Sequence, residues 1–192
     1  MITCMINLKK YFYLIIIVLF VACATPMQLP KDISLQNTIL LPFKIDTIVI
    51  SDLRTDTVTT NLKLPVFVTR PKEWIVKPAL KTDLRNEVSQ MIQEASNSDG
   101  LPAKITFTIK DGYYKIDGDA MKVGEHTLFA CSIKFELSES GSYWTASANA
   151  FYDLVGQYNA TEKHAKEIYR ITVRNCVFNA LKQGEKVFDE EN

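Results

Sequence analysis

Histidine is nearly absent: the 192-residue chain holds only His126 and His164. There is no His-Glu-x-x-His run, no Cys-x-x-Cys pair and no serine in a Gly-x-Ser-x-Gly elbow, so the common zinc, dithiol and acyl-transfer layouts have no foothold. His164 falls in the first turn of an expected helix, where a solvated ring is the simplest reading. His126 opens an expected strand and has no second ligand beside it. Neither sign of charge dominates, with 22 basic and 22 acidic residues, which leaves no electrostatic footing for nucleic acid. No repeat of 20 to 50 residues is visible. Asp111, Asp117 and Asp119 cluster in KDGYYKIDGD, but Met121 takes the third acidic position of a calcium loop and no Glu closes it, leaving them as solvated turn residues. Asn159-Ala160-Thr161 has the form of a glycosylation sequon. No catalytic residue, metal or cofactor is therefore expected, and an enzyme would need residues that only the fold brings together.

Long apolar runs are also missing, apart from one near the start. Tyr11 to Ala22 is apolar or aromatic throughout, 12 residues behind the positive flank of Lys9 and Lys10. As a helix it would reach about 18 Å, short of the roughly 30 Å hydrocarbon core. A charged flank, a short apolar core and a small residue form the layout of a secretory signal peptide. The run ends in Phe20-Val21-Ala22-Cys23, which resembles the lipobox of bacterial lipoproteins, with Phe20 where leucine is usual. The resemblance implies cleavage after Ala22, acylation of Cys23, and attachment to a membrane through acyl chains worth about 0.8 kcal/mol per buried CH₂. The alternative is an uncleaved anchor with Cys23 incidental. Ala24 in place of an aspartate implies, by the same resemblance, the outer membrane, and no acidic cluster of the surface-export kind follows. A periplasm-facing domain results, with 1–22 as signal peptide, 23–40 as tether and 41–192 as one α+β domain.

Without its signal the chain would carry 170 residues, with 20 basic against 22 acidic. The Cys4 thiol leaves with the signal and Cys23 is consumed by lipid, so Cys131 and Cys176 remain in an oxidising compartment. They form either a disulfide or two small buried hydrophobes; both lie on apolar faces, which argues against a catalytic thiol.

Periodicity supplies the elements. Alternation in IDTIVISDLR, apolar on both sides, predicts a central strand. Residues 55–80 read poorly: LPVFVT suits a short strand, and RPKEWIVKP is broken by Pro71 and Pro78. Leu84, Val88, Met91, Ile92 and Ala95 predict a helix that Thr82 can cap, with Gly100 past its end. Ala103, Ile105, Phe107 and Ile109 alternate as a strand, and Asp111-Gly112 offers a tight turn. Phe129 to Leu137 and Trp144 to Tyr152 alternate as two more strands, joined by SESGS. Three alanines in the last strand would let a helix approach closely. Asn159 or Thr161 caps a final helix whose buried side holds Ala165, Ile168, Tyr169, Thr172, Cys176 and Ala180, opposite Lys163, Lys166, Glu167, Arg170 and Arg174. The expected fold is α+β, an antiparallel-rich sheet with two helices on one face, in the order β-(insert)-α-β-β-β-α.

One further pattern has a likeness. A strand ending Asp52-Leu53-Arg54, an insert holding Trp74 to Pro78, and an amphipathic helix resemble the auxiliary lipoproteins of ABC-type lipid transport systems. The resemblance implies a non-enzymatic adaptor that docks on an envelope transport or assembly machine. The contacts it implies are the 55–80 insert and exposed sheet edges, with Asp52 and Arg54 as candidates whose alternative is a surface ion pair. Trp74, Tyr113, Tyr114 and Tyr143 are candidate exposed aromatic contacts, with core or turn packing as the alternative. The alternative function is an apolar-ligand carrier with a pocket between sheet and helices, lined by Phe129, Phe135, Trp144 and Tyr152. A cavity there would favour the carrier; a filled core and an open, aromatic-bearing strand edge would favour the adaptor.

Overall fold

Period-two alternation carries the fold. The computed structural model describes residues 29–35, 38–58, 73–118, 123–156 and 161–191. After a short 3-10 turn, Ile33–Leu35, come β1 (Phe43–Asp52), β2 (Glu73–Val76), α1 (Thr82–Glu94), β3 (Leu101–Gly118), β4 (Val123–Leu137), β5 (Tyr143–Gly156) and α2 (Glu162–Glu191). The sheet order is β1-β3-β4-β5, with β2 also on β3. Pairing of β1 with β3 is parallel, which the intervening α1 crossover permits, and the other pairs are antiparallel. The α+β class and the antiparallel-rich sheet are as expected, and β2 is an added strand inside the insert. LPVFVT lies outside the described residues.

β3 is the spine. One of its sides is shared by β1 along Leu101 to Ile109 and by β2 along Tyr114 to Asp117, and the other side pairs with β4 throughout. A bulge between Ile109 and Asp111 shifts the register, so the inward series Ala103, Ile105, Phe107, Ile109 continues as Gly112, Tyr114, Ile116. The tight turn expected at Asp111-Gly112 is thus a bulge inside a continuous strand. A second bulge, between Ile45 and Thr47, corrects the reading of β1 as a central strand. Its two apolar series serve one face in succession, Phe43 and Ile45 before the bulge and Ile48 and Ile50 after it, and β1 is an edge strand.

Both helices cover the same face. Val88 and Ile92 of α1 are buried, as is the predicted side of α2, in one core with the inward residues of the strands. Thr82 does not cap α1: it is the first helical residue, and Lys81 precedes it without a side-chain cap bond. Thr161 does cap α2, its Oγ1 accepting from the His164 N–H at 3.2 Å. Phe43, Phe135, Trp144 and Phe188 fill the layer between sheet and α2, with Phe135 stacked on Trp144 at 5.1 Å. A side chain at Gly184 would strike the Phe135 ring, so this glycine sets how closely α2 lies on the sheet.

The span expected as a loose tether, 23–40, is fastened to α2 from Lys31 onward. Asn175 clamps the backbone, accepting from the Ile33 N–H at 3.0 Å and donating to the Lys31 carbonyl at 2.9 Å. Arg174 holds Asp32 at 3.0 Å and Ser34 at 3.1 Å.

Candidate functional site

The Asp52-Leu53-Arg54 end of β1 becomes a buried clamp and not a partner contact, because the Arg54 side chain is 1% exposed. Its Nε donates to Asp52 Oδ1 at 2.8 Å, and Nη2 donates to Oδ2 at 2.6 Å. Nη1 donates to the Gly112 carbonyl and to the Tyr169 hydroxyl, both at 3.1 Å, and that hydroxyl donates to the Pro78 carbonyl at 3.2 Å. Arg54 therefore satisfies a β3 carbonyl in the gap where β1 has ended and β2 has not begun. A Cβ at Gly112 would lie 2.8 Å from the Phe129 ring and 3.0 Å from Arg54, which explains the glycine. Burial works against the Asp52 charge, but the bonds from Arg54 outweigh it and lower the pKa. Burial pushes the Tyr169 hydroxyl up to about 12, so it stays protonated as a relay of hydrogen bonds.

Other candidates are also absorbed by the interior. Tyr114, expected as an exposed contact, is fully buried and donates to Glu125. Glu125 is itself buried, and His164 Nε2 lies 3.7 Å from it, so His164 is a core histidine and not the solvated one expected. Trp74 is half-buried, its ring 6.1 Å from that of Tyr114. Cys131 and Cys176 are both buried as unbridged thiols, with sulfurs 3.1 Å apart. Hydrogen bonding to Cys131, then burial, drives the Cys176 pKa far up, which removes its nucleophilic character. Cys23 and Ala22 lie outside the described residues.

Phe129 and Phe135 are fully buried and Trp144 nearly so, which leaves the expected carrier pocket occupied by its own lining. Among the described residues no grouping of His, Cys, Asp and Glu could hold a metal. Nor is any helix among them long and apolar enough to cross a membrane.

Among the described residues, the opposite face of the sheet carries no helix. One row across it is Tyr113, Leu128 and Phe151, on β3, β4 and β5. Phe151 is 72% exposed, and Val155 and Tyr143 on the same strand are 65% and 66% exposed. Only Tyr113 and Tyr143 in this group were expected from sequence. The apolar row is bordered by a polar belt running across β2, β3, β4 and β5. Lys115 holds Glu73 at 2.8 Å and Asp117 at 2.9 Å, and His126 bridges Asp117 at 3.3 Å and Asp153 at 2.7 Å. Both nitrogens of His126 are engaged, and the Lys115 bond, with His126 behind it, lowers the Asp117 pKa despite some desolvation. The belt is a cross-strand charge ladder with no unoccupied acid or base.

At the β5 edge, a groove of about 720 Å³ opens beside Ser147, Ala148 and Asn149, bounded by Asn179, Lys182 and Lys186 of α2. The aromatic row, the edge and the groove are contiguous along β5. They form the candidate site. Comparison with protein-family models and with curated proteins yields no match to this chain.

Proposed function

We propose that this chain is a lipid-anchored, periplasm-facing adaptor of the bacterial envelope, attached through an acylated Cys23 and acting by binding a protein partner, without catalysis. The observation that supports the binding half is the pairing of a filled interlayer core with an outer face that, among the described residues, no helix covers, and on which Phe151, Val155 and Tyr143 stand exposed on the edge strand β5. Exposed aromatic and aliphatic groups beside a polar belt are the composition of a contact patch. The anchoring half rests on the signal layout and the lipobox-like Phe20 to Cys23.

A place beside an envelope transport or assembly complex follows from the resemblance of the Asp52 to Pro78 pattern. Since Asp52 and Arg54 have a structural role, the contact moves to the outer face.

Two experiments test the halves separately. Cys23→Ala should release the protein from the detergent-soluble membrane fraction or leave it unprocessed, and an unchanged mass and fractionation would remove the anchor. A photo-crosslinking residue at position 151 should give one discrete adduct in cells, whereas the same residue at Lys163 on the helix layer should give none; equal labelling from both would remove the adaptor surface.

A further inference from the structure

Resting on the exported location in that reading, and on neither its anchor nor its partner, we propose that Cys131 and Cys176 are a site of covalent modification, oxidised to a disulfide that fastens α2 to β4 and closes while the chain folds. The two sulfurs lie 3.1 Å apart. Carbon atoms in ordinary contact sit about 3.5–4.0 Å from one another, and sulfur is the larger atom, so this pair is already inside the separation of unbonded neighbours. The backbones are close as well. Cys131 Sγ lies 3.8 Å from the Cys176 carbonyl oxygen, and Cys176 Sγ lies 3.4 Å from the carbonyl oxygen of Ala148, the residue directly opposite Cys131 across β4 and β5. Each sulfur thus reaches the main chain beside its partner, and closing the bond to about 2.05 Å draws the two together by about 1 Å, shared between two side chains. Ala146, Ala148 and Ala150, at alternate positions of β5, keep the inner face low where α2 crosses it, which lets a helix cysteine reach a strand cysteine.

The chemistry sets the order of events. The oxidant is a disulfide of an oxidising compartment, carried by an oxidoreductase or by oxidised glutathione. One cysteine attacks it as a thiolate and takes one of its sulfurs into a mixed disulfide, while the other sulfur leaves; the second cysteine then displaces the sulfur that was taken. The pair gives up two protons and two electrons, and the oxidant's disulfide becomes two thiols. In the folded chain both thiols are buried, and bonding to Cys131, then burial, suppress the Cys176 thiolate that such an attack needs. The bond therefore closes before α2 settles on the sheet, and is shielded from reductants afterwards. It joins positions 45 residues apart, so it restricts the unfolded chain across β5 and the first half of α2. Cys176 also follows Asn175, which holds Lys31 and Ile33, so the same bond ties the fastened leading segment to the sheet.

The test uses protein extracted in detergent from its own host, with thiols quenched in acid and alkylated in denaturant before proteolysis. A linked pair of peptides is expected, one holding Cys131 and the other Cys176, two hydrogens lighter than the separate thiol peptides; alkylation of both cysteines without reductant would overturn the bridge. Reduced protein that is unfolded and then refolded with oxidised glutathione should close the bond at least about tenfold faster than reduced protein oxidised without unfolding, and equal rates would overturn closure during folding. The bridged chain should melt about 5–15 °C above the same chain reduced in denaturant and refolded. Cys131→Ala with Cys176→Ala should melt at one temperature after either treatment, and a native midpoint equally indifferent would overturn the fastening role. Two free thiols in a chain whose Cys23 is acylated would overturn this inference and leave the anchor standing. A linked pair in a chain that proves unlipidated would support the bridge while removing the anchor.

Discussion

The two edges of the sheet are treated differently. At the β1 edge, the chain after α1 engages the backbone group by group: Leu41 N–H donates to Ala95 O at 2.7 Å, Asn97 N–H to Phe43 O at 3.0 Å, and Ile45 N–H to Ser96 Oγ at 2.8 Å. A bulge follows, flanked by the charged pair Lys44 and Asp46, and then the Arg54 clamp closes the gap before β2. The β5 strand has no bulge against β4, and α2 reaches its backbone through Asn179 at the Asn149 carbonyl and Cys176 at the Ala148 carbonyl, both at 3.4 Å. Edge strands left open tend to recruit another chain, so sequences guard those that are not used. The side proposed for contact is the less guarded of the two edges.

Substitutions can break that contrast, and the largest effect belongs to the guarded side. Arg54→Ala leaves Asp52, the Gly112 carbonyl and the Tyr169 hydroxyl without their donor, and should cost about 3 kcal/mol in chemical denaturation. Gly112→Ala forces Phe129 and Arg54 apart and should cost about 1–3 kcal/mol by the same measurement. The loss of one bond in Ser96→Ala should cost about 1 kcal/mol and speed hydrogen exchange at Ile45.

Acid should loosen the same clamp. The folded pKa of Asp52 is depressed below its ordinary value of 3.8, so its stabilisation is fully present above that value and fades as pH falls through the lowered one. Glu87 behaves alike: burial opposes its charge, but bonds from Arg170 and Arg174 hold its pKa below the ordinary 4.5. The denaturation midpoint should therefore hold steady from neutral pH to about 5 and drop below about 4, and Arg54→Ala should flatten the part of the drop that belongs to Asp52. The smallest stability effect is expected on the open side. Phe151→Ser should shift stability by no more than about 0.5 kcal/mol, and its measurable consequence is loss of the in-cell adduct, read with the photo-crosslinking residue at Tyr143.

Much of the fold is legible in single elements. The inward residues of β4 and β5, both helices and the buried side of α2 follow from periodicity, because one buried face imposes one phase on each. Bulges are where that logic stops. Lys110 carries no mark of an extra residue in β3, and Asp111-Gly112 has turn chemistry, yet the glycine serves close packing against Phe129 and Arg54. The two phases of β1 look in sequence like two buried faces, although a shift at Asp46 produces the same pattern on one. Site residues were harder to read. Tyr114 and His164 look like surface groups in sequence, and only the meeting of β3, β4 and α2 around Glu125 explains their burial. Phe151 alternates with Ala150 and Tyr152 in an ordinary strand pattern, and its exposure depends on which face the helices choose. The Asn175 clamp joins residues 142 and 144 positions apart, a separation that no local signal spans.

That clamp has a consequence for any chain tied to a bilayer at Cys23. Eight residues lie between Cys23 and the Lys31 carbonyl, and fully stretched they reach about 28 Å. Such a leash would keep the middle of α2, where Asn175 holds the chain, within about that distance of the headgroups.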